Sequence, residues 1–306
     1  LVNTGTIAGR SLVKIDADNI NNLGGRISGG SVDLKARTDL NNIGGTIDAR
    51  DSLKIDAGRD INIRTTTQTN GLNTNVDRIA GLYVTDPGGT LVASAGHDVN
   101  LIGGIISNQG KGGFTSITAK NDINLGTVTE TRAMVGIGKS ASMAIASSQE
   151  LGSTISTNGT TLLNAGQDVN ARQATVNAGD GLLSVHADRD INIESGQTKV
   201  AGNFSAQWKD KGTFKRTENK LSGSFDSSTS VGSSFTGGAV ALDAGNNLNI
   251  EGARIAGRHG VALHGGNSVN IYEARNTSSA GAEFDKKTSG LNFNPTLGAV
   301  IGPRAN

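Results

Sequence analysis

The 306-residue chain has no cysteine, three prolines and only 3% aromatic residues. Without cysteine there is no disulfide and no thiolate metal centre. Prolines this scarce suit a chain of strands that each donate hydrogen bonds to both neighbours. Aromatics this scarce suit a narrow core lined by Val, Ile, Leu and Ala, where large rings rarely fit. The 28 basic and 27 acidic residues nearly cancel, leaving +1, so no overall field draws nucleic acid. No run of 18 apolar residues occurs, so no membrane-spanning helix is expected.

What the chain has is glycine, 44 in all, and a repeat. The stretch Ala57-Gly58-Arg59-Asp60-Ile61-Asn62-Ile63 returns at Ala95–Leu101, Ala119–Leu125, Ala165–Ala171 and Ala187–Ile193, and in weaker form at Ala244–Ile250 and Gly265–Ile271. Each copy is a small corner, a variable residue, a short polar residue, then apolar–Asn–apolar. This is a turn feeding a strand of period two. Near the start, Asn19–Ile27 matches Asp39–Ile47 at an offset of 20, and Asp39 to Asp60, Asp98 to Asp122 and Asp168 to Asp190 are 21, 24 and 22 apart. A period of 20 to 24 means one supersecondary unit stacked on itself.

The unit is β, because no repeat holds helical spacing for about ten residues. A leucine-rich repeat would need several leucines per unit on a fixed frame and usually a helical return. Instead each unit offers three short strands between Gly, Asp or Asn corners, such as Thr46–Ala49, Ser52–Asp56 and Asp60–Ile63. The expected fold is all-β: a right-handed parallel β-helix whose coils stack about 4.8 Å apart, roughly ten to twelve coils in a rod of about 50–60 Å.

The whole chain reads as one β-helix. Coils are expected at about 1–63, 89–125, 160–193 and 238–271, and insertions at about 64–88, 126–159, 194–237 and 272–306. The first residues are already in repeat phase, so a segment of a longer solenoid is expected. All the insertions start after the apolar–Asn–apolar strand and so leave the rod at one corner, on the face that often binds. Met134–Ile145, Leu221–Phe225 and Leu291–Phe293 alternate apolar with small or polar residues and read as hairpins projecting from the rod or lying against it. The insertions hold most of the aromatics, Phe204, Trp208, Phe214, Phe225, Phe235, Phe284 and Phe293, and local basic charge at Lys209, Lys211, Lys215, Arg216, Lys220, Lys286 and Lys287. Candidate interaction residues are Phe204, Trp208, Lys209, Lys211, Phe214, Lys215, Arg216, Lys220 and Phe225.

The repeated Ala-Gly-x-Asp-Ile/Val-Asn-Ile/Leu resembles the haemagglutinin repeats of filamentous-haemagglutinin-like exoproteins, large secreted partners of two-partner secretion systems that include the contact-dependent growth inhibition effectors of the CdiA family. Asn276-Thr277-Ser278-Ser279 through Lys286-Lys287-Thr288-Ser289-Gly290 is similar to the insertion that follows such repeats. The resemblance implies a secreted, surface-displayed β-helical filament, an adhesin or toxin carrier, with an outer-membrane secretion partner for the parent chain. In the inhibition effectors, a repeat region of this type is associated with the target outer membrane and toxin passage. No secretion-targeting domain, Val-Glu-Asn-Asn junction or toxin domain is present in this sequence.

The remaining chemistry is weighed residue by residue. Asp60, Asp98, Asp122, Asp168 and Asp190 could suggest a calcium ladder, but Asn19, Asn247 and Ser268 replace them, which a tight corner tolerates and a carboxylate ligand set does not. They are expected to cap the corners. Asn62, Asn100, Asn124, Asn170 and Asn192, with Asn249 and Asn270, are expected to form a partial amide ladder. His97, His186 and His264 fall in variable surface slots and His259 at a corner. No catalytic residue, metal or other cofactor is expected. Polysaccharide lyases share the fold but need carboxylates and bases converging on one groove, whereas the acids here are spread in register, so the chain is read as non-enzymatic. The expected partner of this monomeric rod is a target-cell surface or outer membrane, whether protein, glycan or lipopolysaccharide. Insertion into that membrane is the alternative, which needs about 9–11 residues of outward apolar alternation. Val135–Ile145 approaches this, with Lys139 interrupting it.

Overall fold

A computed structural model of the chain describes residues 1–294 and 298–305, with side chains described through residue 290. Each repeat contributes a strand to each of two parallel sheets. The apolar–Asn–apolar strands, among them Ile20–Leu23, Ile61–Arg64, Val99–Ile102 and Ser268–Tyr272, stack into a ten-stranded sheet in chain order. The rest of each coil forms an eleven-stranded parallel sheet. The two sheets close a parallel β-helix, with no helix among the described residues.

Where three short strands were expected per coil, the first two are one. Thr46–Ala57 runs unbroken through the Arg50-Asp51 corner. The chain turns there by a register shift, as between Gly29 and Ser31 in the neighbouring coil, so the ladder bends without breaking. The coil also resumes earlier than expected after three insertions: at Gly81–Val84, Thr154–Ala165 and Ser234–Ala244. Phe235 therefore belongs to the rod and is fully buried, not displayed on an insertion.

The core is one file of inward residues per sheet position. Ile27, Ile47, Leu82, Ile106, Ile155 and Val176 stack along one line, all fully buried. Alternate residues face out, which is why the sequence shows period two.

The glycine of the Ala-Gly corner has a packing cause. A Cβ at Gly96 would lie 2.1 Å from the Gly58 carbonyl oxygen one coil away, and one at Gly166 would lie 2.3 Å from the Lys120 oxygen. Backbones at this corner approach too closely for a side chain at those positions.

Candidate surface-contact site

Two polar ladders run the length of the rod and hold its coils in register. In the first, each Asn Nδ2 donates to the Oδ1 of the Asn one coil earlier: Asn41 to Asn21, Asn62 to Asn41, Asn100 to Asn62, Asn124 to Asn100, Asn170 to Asn124, Asn192 to Asn170, Asn249 to Asn192 and Asn270 to Asn249, all at 2.8–3.0 Å. The ladder is continuous and gains Asn21 and Asn41 over the residues anticipated from the repeat. In the second, the Asp side chain bonds a backbone amide at the corner, as expected, and that amide belongs to the next coil. The side chain accepts the backbone N–H of the equivalent residue in the next coil, as Asp60 does from Asp98, Asp98 from Asp122, Asp122 from Asp168, Asp168 from Asp190 and Asp190 from Asn247, at 2.9–3.1 Å.

The variable residue of the corner serves this ladder. Arg59 pairs with Asp39 through two nitrogens, as Arg189 does with Asp168. These guanidinium bonds, helped by the N–H groups of Asp60 and Asp190, hold both carboxyls below the usual carboxylate range. His97 takes the same slot, its Nδ1 3.1 Å from Asp60 Oδ1. Asp60, His97 and Asp98 are the one described group that could offer three ligand atoms to a metal. Arg59 stands 3.3 Å from Asp60 and opposes a cation there. His186 and His264 flank Asp243 at 2.9 and 2.7 Å and hold its carboxyl below the usual range.

A second, buried Asn stack was not legible in the repeat. Asn22 donates to Asn42 Oδ1 at 2.8 Å and to the Gly25 carbonyl at 3.0 Å, and accepts from Asn3 at 2.8 Å. Asn22 and Asn42 are fully buried, and Ile63 takes the next rung.

The insertions do not fold separately. They pair with one another into a single eight-stranded antiparallel sheet, Thr67–Asn70, Asn73–Val76, Val128–Ile137, Ala141–Leu151, Gly196–Lys211, Lys215–Val231, Thr277–Asn294 and Gly298–Ala305, in chain order. Its strands lengthen from 4 residues to 18 before the last, of 8. Buried hydroxyls pin the stems: Thr65 bonds the Gly103 carbonyl at 2.6 Å, Ser153 the Leu101 carbonyl at 2.6 Å and Ser233 the Glu194 carbonyl at 2.7 Å. Glu150 binds Arg172 of the rod through both oxygens and accepts the N–H of Gln197, fastening two hairpins to the coil.

Register divides this sheet into two unlike faces. Opposite residues share a face. Met143 opposes Phe204, Phe204 opposes Gly223, and Gly223 opposes Ala282. Ala206 opposes Leu221, and Leu221 opposes Phe284. Met134, Ile145, Val200 and Phe225 fall on the same side. Two phenylalanines lie across glycines: a Cβ at Gly223 would come 2.6 Å from the Phe204 ring, and one at Gly202 2.6 Å from Phe225. The Trp208 and Phe284 rings meet above the strand between them, centroids 5.9 Å apart. None of these large side chains is fully buried, and Phe284 and Met134 are 54% and 59% exposed.

The opposite face carries Lys199, Asn203, Ser205, Lys209, Lys211, Arg216, Lys220 and Lys287, with acids between. Lys209 and Arg216 both pair with Glu218, at 3.0 and 3.1 Å. A shallow hollow near the far end of the sheet is lined by Gln207, Lys209, Glu218, Lys220, Asp285 and Lys287 of this face, together with Trp208 and Asn219. Of the candidate residues, Phe204, Trp208 and Phe225 thus gather on one face and Lys209, Lys211, Arg216 and Lys220 on the other, while Phe214 and Lys215 sit at the hairpin tip. Phe214 is 65% exposed. Phe293 lies outside the described side chains.

The repeats match the hemagglutinin repeat family over residues 8–198 and 135–290. The chain belongs to that family. Its hemagglutinin repeats are similar to part of the "16S rRNA endonuclease CdiA" of Enterobacter cloacae subsp. cloacae, 30% identical over 380 aligned residues covering 99% of this chain. They are also similar to the "tRNA nuclease CdiA-2" of Burkholderia pseudomallei, 29% identical over 54% of the chain, and to the "tRNA nuclease CdiA" of Escherichia coli, 26% identical over 89%. The chain spans 11%, 6% and 8% of those proteins. No solved structure matches it. As a hemagglutinin-repeat segment, it is part of a secreted, surface-exposed protein.

Proposed function

We propose that this segment is a non-enzymatic part of a surface filament, and that its antiparallel sheet contacts the target cell's outer membrane with the apolar face on lipid. The observation that carries this is the sorting of side chains across the sheet. Met134, Met143, Phe204, Trp208, Leu221, Phe225 and Phe284 share one unpacked face, interrupted by Arg132, Asp210 and Lys286, and most of the Lys and Ser residues share the other with Val135 and Ile137. A soluble sheet with one apolar face normally packs it against a second layer. On strand Gly196–Lys211 the apolar residues run from Val200 to Trp208, about 27 Å at 3.4 Å per residue. That is near the apolar band of about 25 Å on outer-membrane strands. Lysines 209, 211 and 215 lie just beyond it, where headgroups would be.

Flotation with outer-membrane vesicles tests this reading. The Phe284→Asp and Met134→Asp variants should lose most binding, and Lys199→Ser, on the polar face, should retain it. Equal binding by all would place contact elsewhere. The polar character of the other face favours a second reading, in which the strands enter the bilayer as part of a barrel with a polar interior. Protection of the Gly196–Val231 hairpin from external protease in vesicles would support that reading, and cleavage would leave surface contact.

A further inference from the structure

The outer edge of the antiparallel sheet has an unpaired strand end. Strand Val128–Ile137 bonds to Ala141–Leu151 along one side for its whole length. On its other side it meets Asn73–Val76 at one register pair only, Thr131 with Thr74. From Met134 to Ile137 no described residue pairs with it there.

The direction of its free groups is fixed by its existing bonds. Gly138 N–H donates inward to the Ala141 carbonyl at 2.7 Å, whereas Ala133 N–H points outward, to Asn73 Oδ1 at 2.9 Å. Successive residues of an antiparallel strand alternate sides. Gly136 and Met134 therefore bond inward, and Val135 and Ile137 turn both N–H and C=O to the open edge. Met134, Val135 and Ile137 are 59%, 54% and 84% exposed, and no charged residue lies between Arg132 and Lys139. Charges, prolines or bulges usually protect such an edge.

We propose that this edge is a homodimer interface, in which Met134–Gly138 of two copies pair antiparallel about a two-fold axis at Gly136. The segment is self-complementary in that register. Val135 of one copy faces Ile137 of the other, so the free N–H and C=O groups of both residues are satisfied in both copies. Met134 faces Gly138, large against small. Lys139 and Ser140 form the hairpin turn closed by the Gly138–Ala141 bond, so they and Arg132 lie outside the paired stretch and no like charges are paired. The Asn73–Val76 hairpin lies beyond the paired stretch. A two-fold axis normal to the sheet keeps the apolar faces on one side, so the dimer presents one continuous apolar face of twice the width. A membrane-independent readout keeps this inference separate from the lipid-contact proposal.

The absence of cysteine makes the test clean. A Cβ at Gly136 meets nothing within 4 Å, so Gly136→Cys introduces a single thiol without a clash. On the axis, two such thiols form a close, non-hydrogen-bonded pair, the spacing a disulfide needs. Gly136→Cys should form a covalent dimer at least tenfold faster than Ser224→Cys, an exposed thiol far from the edge. Light scattering on the unmodified chain should show its mass approaching two chains as concentration rises. Val135→Pro removes only an outward N–H, so its circular dichroism should match the parent while it stays monomeric. A parent chain monomeric throughout, cross-linking no faster than in the Ser224→Cys control, or a dimer unaffected by Val135→Pro would each overturn the proposal.

Discussion

Asn22 and Asn41 are adjacent in register terms but face opposite ways, and the structure assigns their amides very different weights. Asn41 faces outward. Its Nδ2 donates to Asn21 at 2.8 Å, and its Oδ1 accepts from Asn62 at 2.8 Å. In Asn41→Ala, water can reach the groups left behind, so the loss is about 0.5–1.5 kcal/mol per bond, or about 1–3 kcal/mol in all. Asn22 faces the core. Asn22→Ala strands the Nδ2 of Asn3, the Oδ1 of Asn42 and the carbonyl of Gly25 at a site closed to solvent. At about 1–3 kcal/mol for each buried unsatisfied group, shared where Asn3 and Asn42 have other partners, the cost is about 3–5 kcal/mol. Urea unfolding followed by far-ultraviolet circular dichroism compares the two. Asn22→Ala should lower the midpoint about twice as far as Asn41→Ala. Equal shifts, or a silent Asn22→Ala, would refute the reasoning that burial sets the value of these amides.

Gly96→Ala should destabilise by about 1–3 kcal/mol, because its methyl group meets the Gly58 carbonyl oxygen at 2.1 Å, and urea unfolding would show it. Phe235→Ala, which empties a fully buried site in the rod, should cost about 3–5 kcal/mol by the same assay. Asp39 and Asp168 have pKa values lowered by their arginines, so their stabilisation is complete above the unfolded value of about 3.9 and is lost as pH falls through their folded values. Asp168→Asn should therefore be less stable than the parent at neutral pH, and the difference should shrink in acid unfolding below about pH 4.

The rod was legible because its cause is local and repeated. Asp–apolar–Asn–apolar fixes a strand every coil, and the small corner residue recurs with it, followed by Gly in most copies and by Lys120 or Asp188 in two. The strand count per coil was less legible, since Arg50-Asp51 looks like a break yet only bends a continuous strand. Coil resumption after insertions was misplaced for a related reason. Gly81–Val84, Thr154–Ala165 and Ser234–Ala244 re-enter the rod without the repeat motif, and only their inward residues, such as Leu82, Ile155 and Phe235, mark them. The joined hairpin sheet was hidden most deeply. Phe204, Leu221 and Phe284 share a face only through registers that link segments far apart in sequence, so no single alternating stretch reveals it.

Trp208 is the chain's only tryptophan and sits on the apolar face beside Phe284, so its fluorescence reports directly on that face. The decisive measurement is its emission with outer-membrane vesicles, with and without bromine-labelled lipid. Contact through the apolar face requires a shift to shorter wavelength on binding and quenching by the labelled acyl chains. Emission that stays unshifted and unquenched while the protein is bound to the vesicles would contradict contact through this face.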